Sequence, residues 1–246
     1  MLSFNPIPAD HPLPIPIKKA IKMPFLFSLF LIYMYFISWI FSWVSGVTTL
    51  RTGDDWSVLG VLWQISVFHL FHASLGHLFS NIASLLILCT LANMFFPLAF
   101  KKAIPYIWFG SGFLLWLIGR PGIHVGASAF IYGVFHLIFW LALIRRDKLS
   151  ILAGFVAILI FGNMVFAFIP TASNVSWEGH LAGAVFGFMS AILFFKEDIR
   201  PPQYKWNEDV EGSIDLEMTR IDREFEHWKP GMKLPNAPVF IDKTTN

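Results

Sequence analysis

Three short polar clusters lie inside otherwise apolar stretches of this sequence. Their members are His72, His77 and Asn81 in the first, Gly126, Ser128 and Tyr132 in the second, and Gly179, His180, Gly183 and Gly187 in the third. Polar and ionisable side chains are costly inside a membrane, so each cluster is a candidate functional site. A serine hydroxyl paired with a neutral imidazole is a nucleophile with its base, and such a pair carries out acyl transfer.

The clusters supply the groups that acyl transfer needs. Ser128 is the candidate nucleophile and His180 the candidate base, because apolar surroundings favour the neutral, proton-accepting imidazole. No Asp or Glu lies deep in these stretches, so the sequence predicts a dyad. Tyr132, one helical turn after Ser128, is placed to stack on His180. His77, Asn81 and the Ser128 amide are suitable donors to the developing oxyanion.

Helical spacing predicts that the clusters meet. His77 and Asn81 are four residues apart and project from one helical face, as do Ser128 and Tyr132. The glycines of the third cluster recur every four residues and allow a neighbouring helix to approach closely. If the helices that carry Ser128 and His180 pack through these glycines, the hydroxyl and the imidazole come within about 3 Å.

The composition and the apolar runs indicate that these clusters lie in a membrane. The 246 residues are 56% hydrophobic and only 14% charged, which is more apolar than a soluble domain. Six runs can span or nearly span a bilayer, at 24–43, 77–100, 103–118, 126–144, 149–169 and 179–195. The first is too long for a secretory signal and is interpreted as a retained helix. We therefore predict an all-α membrane protein, a six-transmembrane-helix bundle whose interfacial first loop contains short helices over 45–75.

Basic residues predict the orientation of this bundle. Alternate connections contain ten Lys and Arg residues on one side and two on the other. Since basic residues are retained on the cytoplasmic side, both termini are predicted to be cytoplasmic, with the bundle in the cell membrane. The predicted domains are a cytosolic segment 1–22, the membrane domain 23–196 and a cytosolic tail 197–246. The tail contains one amphipathic helical pattern, formed by Ile214, Met218, Ile221 and Phe225.

The order and spacing of the three motifs resemble the rhomboid family of intramembrane serine proteases. The matching residues are His72, His77, Asn81, Gly126, Ser128, Tyr132, His180, Gly183 and Gly187. The resemblance implies Ser128 as nucleophile, His180 as base, and the same oxyanion donors as above, with Gly126 as a loop glycine. It also implies cleavage of single transmembrane segments of other membrane proteins near their outer ends, preferably at small residues, without a metal or an organic cofactor.

Two positions depart from the family pattern. The family's Gly-x-Ser-Gly ends here in Ala129, and its Trp-Arg in the first loop is Trp63-Gln64. The extra methyl group of Ala129 is expected to narrow the pocket or to perturb an oxyanion donor. Gln64 lacks the charge that would anchor the first loop. Because both members of the dyad are present, we expect these two changes to reduce or alter the activity and not to abolish it.

The expected partners are transmembrane protein substrates and membrane lipid, and the oligomeric state is open. Nucleic acid is not expected, because the basic residues form short clusters without a broad basic face. One alternative is a rhomboid-like protein that binds membrane segments without cutting them. Another is a metal or proton transporter that uses His69, His72, His77 and His180, which would leave Asn81 and Ser128 unexplained.

The remaining polar residues receive structural interpretations. His69 and His124 are predicted to be solvated loop residues, and His136, two turns after Ser128, a helix contact. Glu178 and the pair Asp54 and Asp55 are interpreted as charges at helix starts or in loops.

Overall fold

The computed structural model describes residues 14–41, 49–52, 57–166, 169 and 175–198. The chain divides into two compact units, Met1–Arg200 and Pro201–Asn246. The second unit, with the predicted tail helix, lies outside the described residues, as do Asp54 and Asp55.

Helices make up most of the first unit. In chain order they are α1 (Ile17–Ala20), α2 (Lys22–Ile40), α3 (Val58–Val67), α4 (Leu75–Phe95), α5 (Pro97–Ile118), α6 (Ser128–Arg145), α7 (Lys148–Phe161) and α8 (Trp177–Phe194). Turns of 3-10 helix follow α3 at Phe68–Leu70 and α7 at Gly162–Val165. Two short strands, β1 (Leu50–Thr52) and β2 (Gly122–His124), pair antiparallel, with Leu50 opposite His124.

Among the described residues, five segments are long and apolar enough to cross a membrane, so the predicted all-α membrane fold is confirmed. They are Ile17–Ile40, Leu75–Phe95, Ser128–Arg145, Lys148–Val165 and Trp177–Phe194. Helix α5 corresponds to the remaining predicted span and has 22 residues, but Lys101 and Lys102 lie near its start and make it less apolar. The count of six membrane-spanning helices therefore stays a prediction.

The boundary between α4 and α5 differs from the prediction. Helix α4 ends at Phe95 and α5 begins at Pro97, whereas the apolar runs suggested a break at 101–102. Proline suits the first position of a helix because its missing amide hydrogen would have no partner there. The Asp198 carboxylate accepts hydrogen bonds from the Leu98 and Ala99 amides, at 3.0 and 2.9 Å, and so caps α5.

The start of the predicted tail contacts the membrane domain. Besides the bonds of Asp198 to α5, the Arg145 guanidinium donates to the carbonyl oxygens of Glu197 and Asp198. Lys102 forms an ion pair of 2.6 Å with Glu197. Residues 197 and 198 are therefore packed against α5 and α6, although they follow the predicted domain boundary at 196.

The first loop contains the short helices that the sequence predicts, but also a strand that it does not. Helix α3 and its 3-10 turn form the helical part, and β1 pairs with β2 from the loop before α6. Buried residues of this loop form an apolar cluster with α5, α6 and α8, and its members are Leu50, Val61, Ile65, Phe68, Leu115, Ala129 and Ala182. The loop is thus an integral layer over the end of the bundle at which α6 and α8 begin.

Helix α6 is the centre of the bundle. It contacts α4, α5, α7 and α8, and its Val134, Phe135 and Leu137 are fully buried. The contact with α8 is especially close, since a Cβ atom placed on Gly183 would lie 2.0 Å from the Ala129 carbonyl oxygen. A Cβ on Gly187 would lie 2.2 Å from the Gly133 carbonyl oxygen. The predicted packing of these two helices through glycines is confirmed.

This contact predicts that Gly183→Ala destabilises the fold. The added methyl group has no space against the α6 backbone, which cannot yield as a side chain would, so we expect a loss of about 1–3 kcal/mol. Thermal unfolding of the purified protein in detergent measures it. Gly76→Ala on α4 is the matched control, because no atom of the described residues outside its own stretch of helix lies within 4 Å of the added Cβ. Equal unfolding midpoints for the two variants would contradict the packing argument.

Candidate active site

A cavity of about 780 Å³ opens among α4, α6, α8 and the end of α7. It is lined by Ser128 and Tyr132 of α6, His180 of α8, and His77 and Asn81 of α4. The structure therefore brings together residues from all three polar clusters. Gly126 and His72 lie directly behind this lining and contact it.

Ser128 is the first residue of α6. Ala127 is the N-cap, so the Ser128 amide belongs to the first turn, where backbone amides have no partner within the helix. Gly126 precedes the N-cap residue and has a φ of +111°, a backbone conformation that residues other than glycine rarely adopt. Its amide donates to the Phe68 carbonyl oxygen at 3.1 Å, which ties the turn to the first loop. The serine is thus presented at the positive end of a buried helix.

His180 lies in the first turn of α8 and is held against Tyr132. Their ring centroids are 3.8 Å apart and the ring planes differ by 6°, so the rings are stacked. The predicted ring contact is therefore present, although its contribution to catalysis stays a prediction. Because Ala127 is the N-cap residue of α6 and Ser176 that of α8, Ser128 and His180 both lie in the first turn of their helices and line the cavity.

His77 and Asn81 lie one turn apart on α4 and face the Gly126 turn. A Cβ atom placed on Gly126 would lie 2.6 Å from His77 Cε1 and 3.3 Å from Asn81 Nδ2, so these side chains pack directly against the glycine. Asn81 Nδ2 is buried and has no hydrogen-bond partner among the described residues. A buried donor without an acceptor is costly, unless a transient acceptor occupies the site.

His72 supports the turn from behind. Its Nε2 accepts a long hydrogen bond of 3.5 Å from the Ala127 amide, and its ring meets the His77 ring edge-on at 5.1 Å. Burial, together with the nearby His77, lowers the pKa of His72 from 6.5 to about 4. The imidazole is therefore neutral at pH 7, and the proton is assigned to Nδ1 because Nε2 accepts.

Comparison with known proteins agrees with this arrangement. The sequence model of the Rhomboid domain matches residues 59–197, more than half of the chain. The chain belongs to the rhomboid family. As a member with several membrane-spanning helices, this rhomboid is an integral, multi-pass membrane protein.

Similar proteins occur in bacteria and in a virus. An uncharacterized protein of Mycobacterium bovis is 32% identical over 159 residues, which are 61% of this chain and 63% of that protein. One of Mycobacterium leprae is 31% identical over 158 residues, 61% of this chain and 60% of that protein. A protein of Acanthamoeba polyphaga mimivirus, provisionally named as a rhomboid protein, is 30% identical over 131 residues, 50% of this chain and 70% of that protein. The rhomboid thus spans less than two thirds of the length of each of these mycobacterial proteins.

Two histidines predicted to be solvated are buried, so that interpretation was wrong. His69 packs between Phe68 and Trp108, and its Nε2 lies 3.0 Å from the Trp108 carbonyl oxygen. His124 lines the cavity at the end of β2, with Nδ1 2.8 Å from Ser176 Oγ. Both are covered because the first loop folds over the helix ends. Sequence reasoning missed His124 as a site residue, although its place four residues before Ser128 was a usable signal.

The interpretation of His136 as a helix contact is confirmed. A Cβ atom on Gly187 would lie 2.9 Å from His136 Cβ, so the side chain stands at the contact between α6 and α8. Its Nδ1 lies 3.0 Å from the Tyr132 carbonyl oxygen. Glu178 is in the first turn of α8 as predicted, but it is buried and pairs with Arg120 at 3.3 Å.

The two departures from the family pattern act differently from what the sequence suggested. Ala129 belongs to the apolar cluster under the first loop and does not line the cavity, so the expectation that it narrows the pocket was wrong. Gln64 is buried, and its Oε1 accepts a hydrogen bond of 3.0 Å from the Arg51 amide. An uncharged side chain at this position therefore still attaches β1 to α3.

The position of Ala129 predicts the effect of restoring the family's glycine. Ala129→Gly removes a buried methyl group and adds backbone freedom in a helix, so we expect about 1–2 kcal/mol lower stability. The cavity is not enlarged, so the rate at which Ser128 reacts with a fluorophosphonate is expected to change less than about threefold. Unfolding and labelling are measured on the same preparation. Faster labelling at unchanged stability would show that the methyl group does obstruct the pocket.

The buried histidines predict a loss of stability in mild acid. Burial lowers the pKa of both His69 and His72 from 6.5 to about 4. The unfolded chain therefore binds protons first, so stability is full above pH 6.5 and falls as the pH approaches 4. Each histidine contributes a slope on the order of 1.4 kcal/mol per pH unit.

Unfolding midpoints at several pH values in this range test the assignment. His72→Gln removes one titrating group, so the slope of unfolding free energy against pH is expected to fall by about 1.4 kcal/mol per pH unit, the contribution of one proton. An unchanged slope in this variant would exclude His72 as a source of the acid sensitivity.

Proposed function

We propose that this rhomboid is a serine endopeptidase that cleaves transmembrane segments of other membrane proteins, with Ser128 as nucleophile and His180 as base. The observation that carries the proposal is the convergence on one cavity of a helix-terminal serine, a stacked histidine and an amide donor that has no acceptor in the described part of the chain. Each element alone is common in helical bundles. Their combination is what acyl transfer needs.

The first step is attack by Ser128 on the scissile carbonyl carbon. The Ser128 hydroxyl proton passes to the imidazole of His180 as the new carbon–oxygen bond forms. None of the described residues that line the cavity is Asp or Glu, so the imidazole is oriented by its stacking on Tyr132 in place of a carboxylate. The stacked ring also limits rotation of the base away from the serine.

The oxyanion of the tetrahedral intermediate is stabilised by hydrogen-bond donors around the Gly126 turn. The Ser128 amide is free of an intrahelical partner, and Asn81 Nδ2 is a buried donor without an acceptor among the described residues. His77 lies against the same glycine. These donors are already in place before reaction, so little reorganisation is needed when the negative charge forms.

Collapse of the intermediate breaks the carbon–nitrogen bond. His180 gives its proton to the leaving amine, and the acyl group stays on Ser128 as an ester. A water molecule, deprotonated by His180, then hydrolyses the ester and regenerates the serine. Polar residues in the cavity wall, Ser80, Ser84 and Asn163, provide hydrogen bonds for water at this depth.

The position of the cavity supports substrates that are themselves membrane segments. Ser128 begins α6 and Arg145 ends it, so the site and the basic end of the helix are on opposite sides of the membrane. With basic residues retained on the cytoplasmic side, the cut falls near the outer surface, and both termini are cytoplasmic in a cell-membrane protein. The partners are transmembrane proteins, within a lipid surrounding.

The transporter alternative has less support. His69 is bonded to Trp108 and does not line the cavity that His77 and His180 share. A relay through all four histidines would therefore have to leave the cavity, which neither His69 nor His72 lines.

The proposal predicts that cleavage depends on both members of the dyad. The protein is reconstituted in liposomes with single-span substrates that carry small and helix-destabilising residues near the outer surface. Ser128→Ala and His180→Ala are expected to lower cleavage at least about 1,000-fold. Asn81→Ala, which removes one oxyanion donor, is expected to lower kcat about 100-fold.

Ser190→Ala is the matched control, since Ser190 is a buried serine of α8 that lies outside the cavity lining. It is expected to cleave at the wild-type rate. Cleavage that persists in Ser128→Ala, or a wild type that binds these segments without cutting them, would refute the endopeptidase and favour a membrane-segment binder.

A further inference from the structure

A chain of hydrogen bonds joins the first loop, the loop before α6 and the start of α8. The Thr52 hydroxyl donates to the Arg120 carbonyl oxygen. His124 Nε2 lies 3.2 Å from both Thr52 Oγ1 and the Arg120 carbonyl oxygen. On the other side of the ring, His124 Nδ1 lies 2.8 Å from Ser176 Oγ, which itself accepts the Gly179 amide at 3.2 Å.

With a neutral imidazole, only one placement of the hydrogens gives every group in this series of hydrogen bonds a partner. The Arg120 carbonyl oxygen can only accept, so His124 Nε2 must carry the hydrogen that points towards it. His124 Nδ1 is then an acceptor, and the Ser176 hydroxyl donates to it. Ser176 Oγ keeps a lone pair for the Gly179 amide, so one serine both caps α8 and bonds to the histidine.

The two residues of this bond have equivalent positions relative to the dyad. His124 is four residues before Ser128, and Ser176 is four residues before His180. Each lies in the segment that leads directly into its helix, α6 or α8. Their bond therefore fixes the distance between the two helix starts that carry the nucleophile and the base.

We propose that His124 is a positioning residue whose bond to Ser176, here called the His124–Ser176 bridge, sets the separation of Ser128 and His180. The inference rests on the proposed endopeptidase function. Below the dyad, α6 and α8 are already held together where Gly183 meets Ala129. The bridge holds them above it, so the helix starts cannot separate around that lower contact.

A second connection limits how much one residue can contribute. Arg120 donates to the Val175 carbonyl oxygen at 2.8 Å and pairs with Glu178 at 3.3 Å, so it also links the loop before α6 to the start of α8. Loss of the bridge therefore loosens the dyad without detaching the helices. The expected effect is a lower rate in a folded protein.

The first experiment separates positioning from substrate binding. His124→Phe keeps a ring of similar size and removes both hydrogen bonds. We expect kcat for a reconstituted membrane substrate to fall about 10- to 100-fold with KM unchanged within about twofold, because small misplacement of reacting groups is costly. His124→Asn, whose side-chain oxygen can replace Nδ1 as an acceptor, is expected to restore at least a third of the wild-type kcat.

The second experiment tests the bond itself. In a cycle of His124→Phe, Ser176→Ala and the double variant, the effects on kcat and on the unfolding midpoint are expected to be non-additive. Ser57→Ala is the matched control, because Ser57 caps α3 through a bond of the same length, 3.2 Å to the Gly60 amide. Combined with His124→Phe, it is expected to be additive.

Each outcome bears on a specific claim. Unchanged kcat in His124→Phe, failure of His124→Asn to restore it, or additive effects with Ser176→Ala would overturn the positioning role. If KM rises while kcat is kept, His124 acts on substrate binding and the proposal is wrong. A wild type that neither cleaves nor labels at Ser128 refutes the proposed function, and the unfolding cycle still tests whether the bridge holds the helix starts together.

Discussion

The close contact between α6 and α8 is the constraint on which the candidate site depends. Lipid provides no hydrophobic force that drives helices together, so membrane helices associate where small residues let backbones meet. Gly183 and Gly187 leave space for the carbonyl oxygens of Ala129 and Gly133. Because this contact begins at Ala129, directly after Ser128, it also limits how far α6 can shift or rotate against the start of α8. The stacking of His180 on Tyr132 follows from the same contact, since both rings lie between the two helices.

The first loop covers the start of α6 and holds the turn that precedes it. Leu50, Ile65 and Phe68 cover the start of α6, and the Phe68 carbonyl oxygen accepts a hydrogen bond from the Gly126 amide just before Ser128. Gln64 attaches β1 to α3, and β1 in turn pairs with the strand that contains His124. The conformation of the turn around Gly126 is therefore a property of the loop as much as of α6. The loop that the sequence predicts to be interfacial is thus also part of the scaffold of the site.

The sequence could predict those features that depend on helical spacing. His77 with Asn81, Ser128 with Tyr132, and the repeated glycines of α8 are all separated by four residues, and one helical face carries each set. Features that depend on distant contacts could not be predicted. The start of α5 is capped by Asp198, about 100 residues later in the chain. His124 is buried among distant residues, one of which is Thr52, 72 residues earlier, whose hydroxyl lies 3.2 Å from His124 Nε2. No periodicity in the intervening sequence records either contact.

The location of Ala129 has a consequence for how this site tolerates change. In the pattern that the chain resembles, a glycine follows the nucleophile, and a larger residue there would be expected to obstruct the substrate. In this protein the methyl group points into the cluster of Leu50, Phe68 and Leu115, away from the cavity. Its size must therefore be matched by the residues of the first loop, since buried apolar clusters are close-packed. Variation next to Ser128 is then coupled to variation in the loop, and the side chains that line the cavity keep the same surroundings.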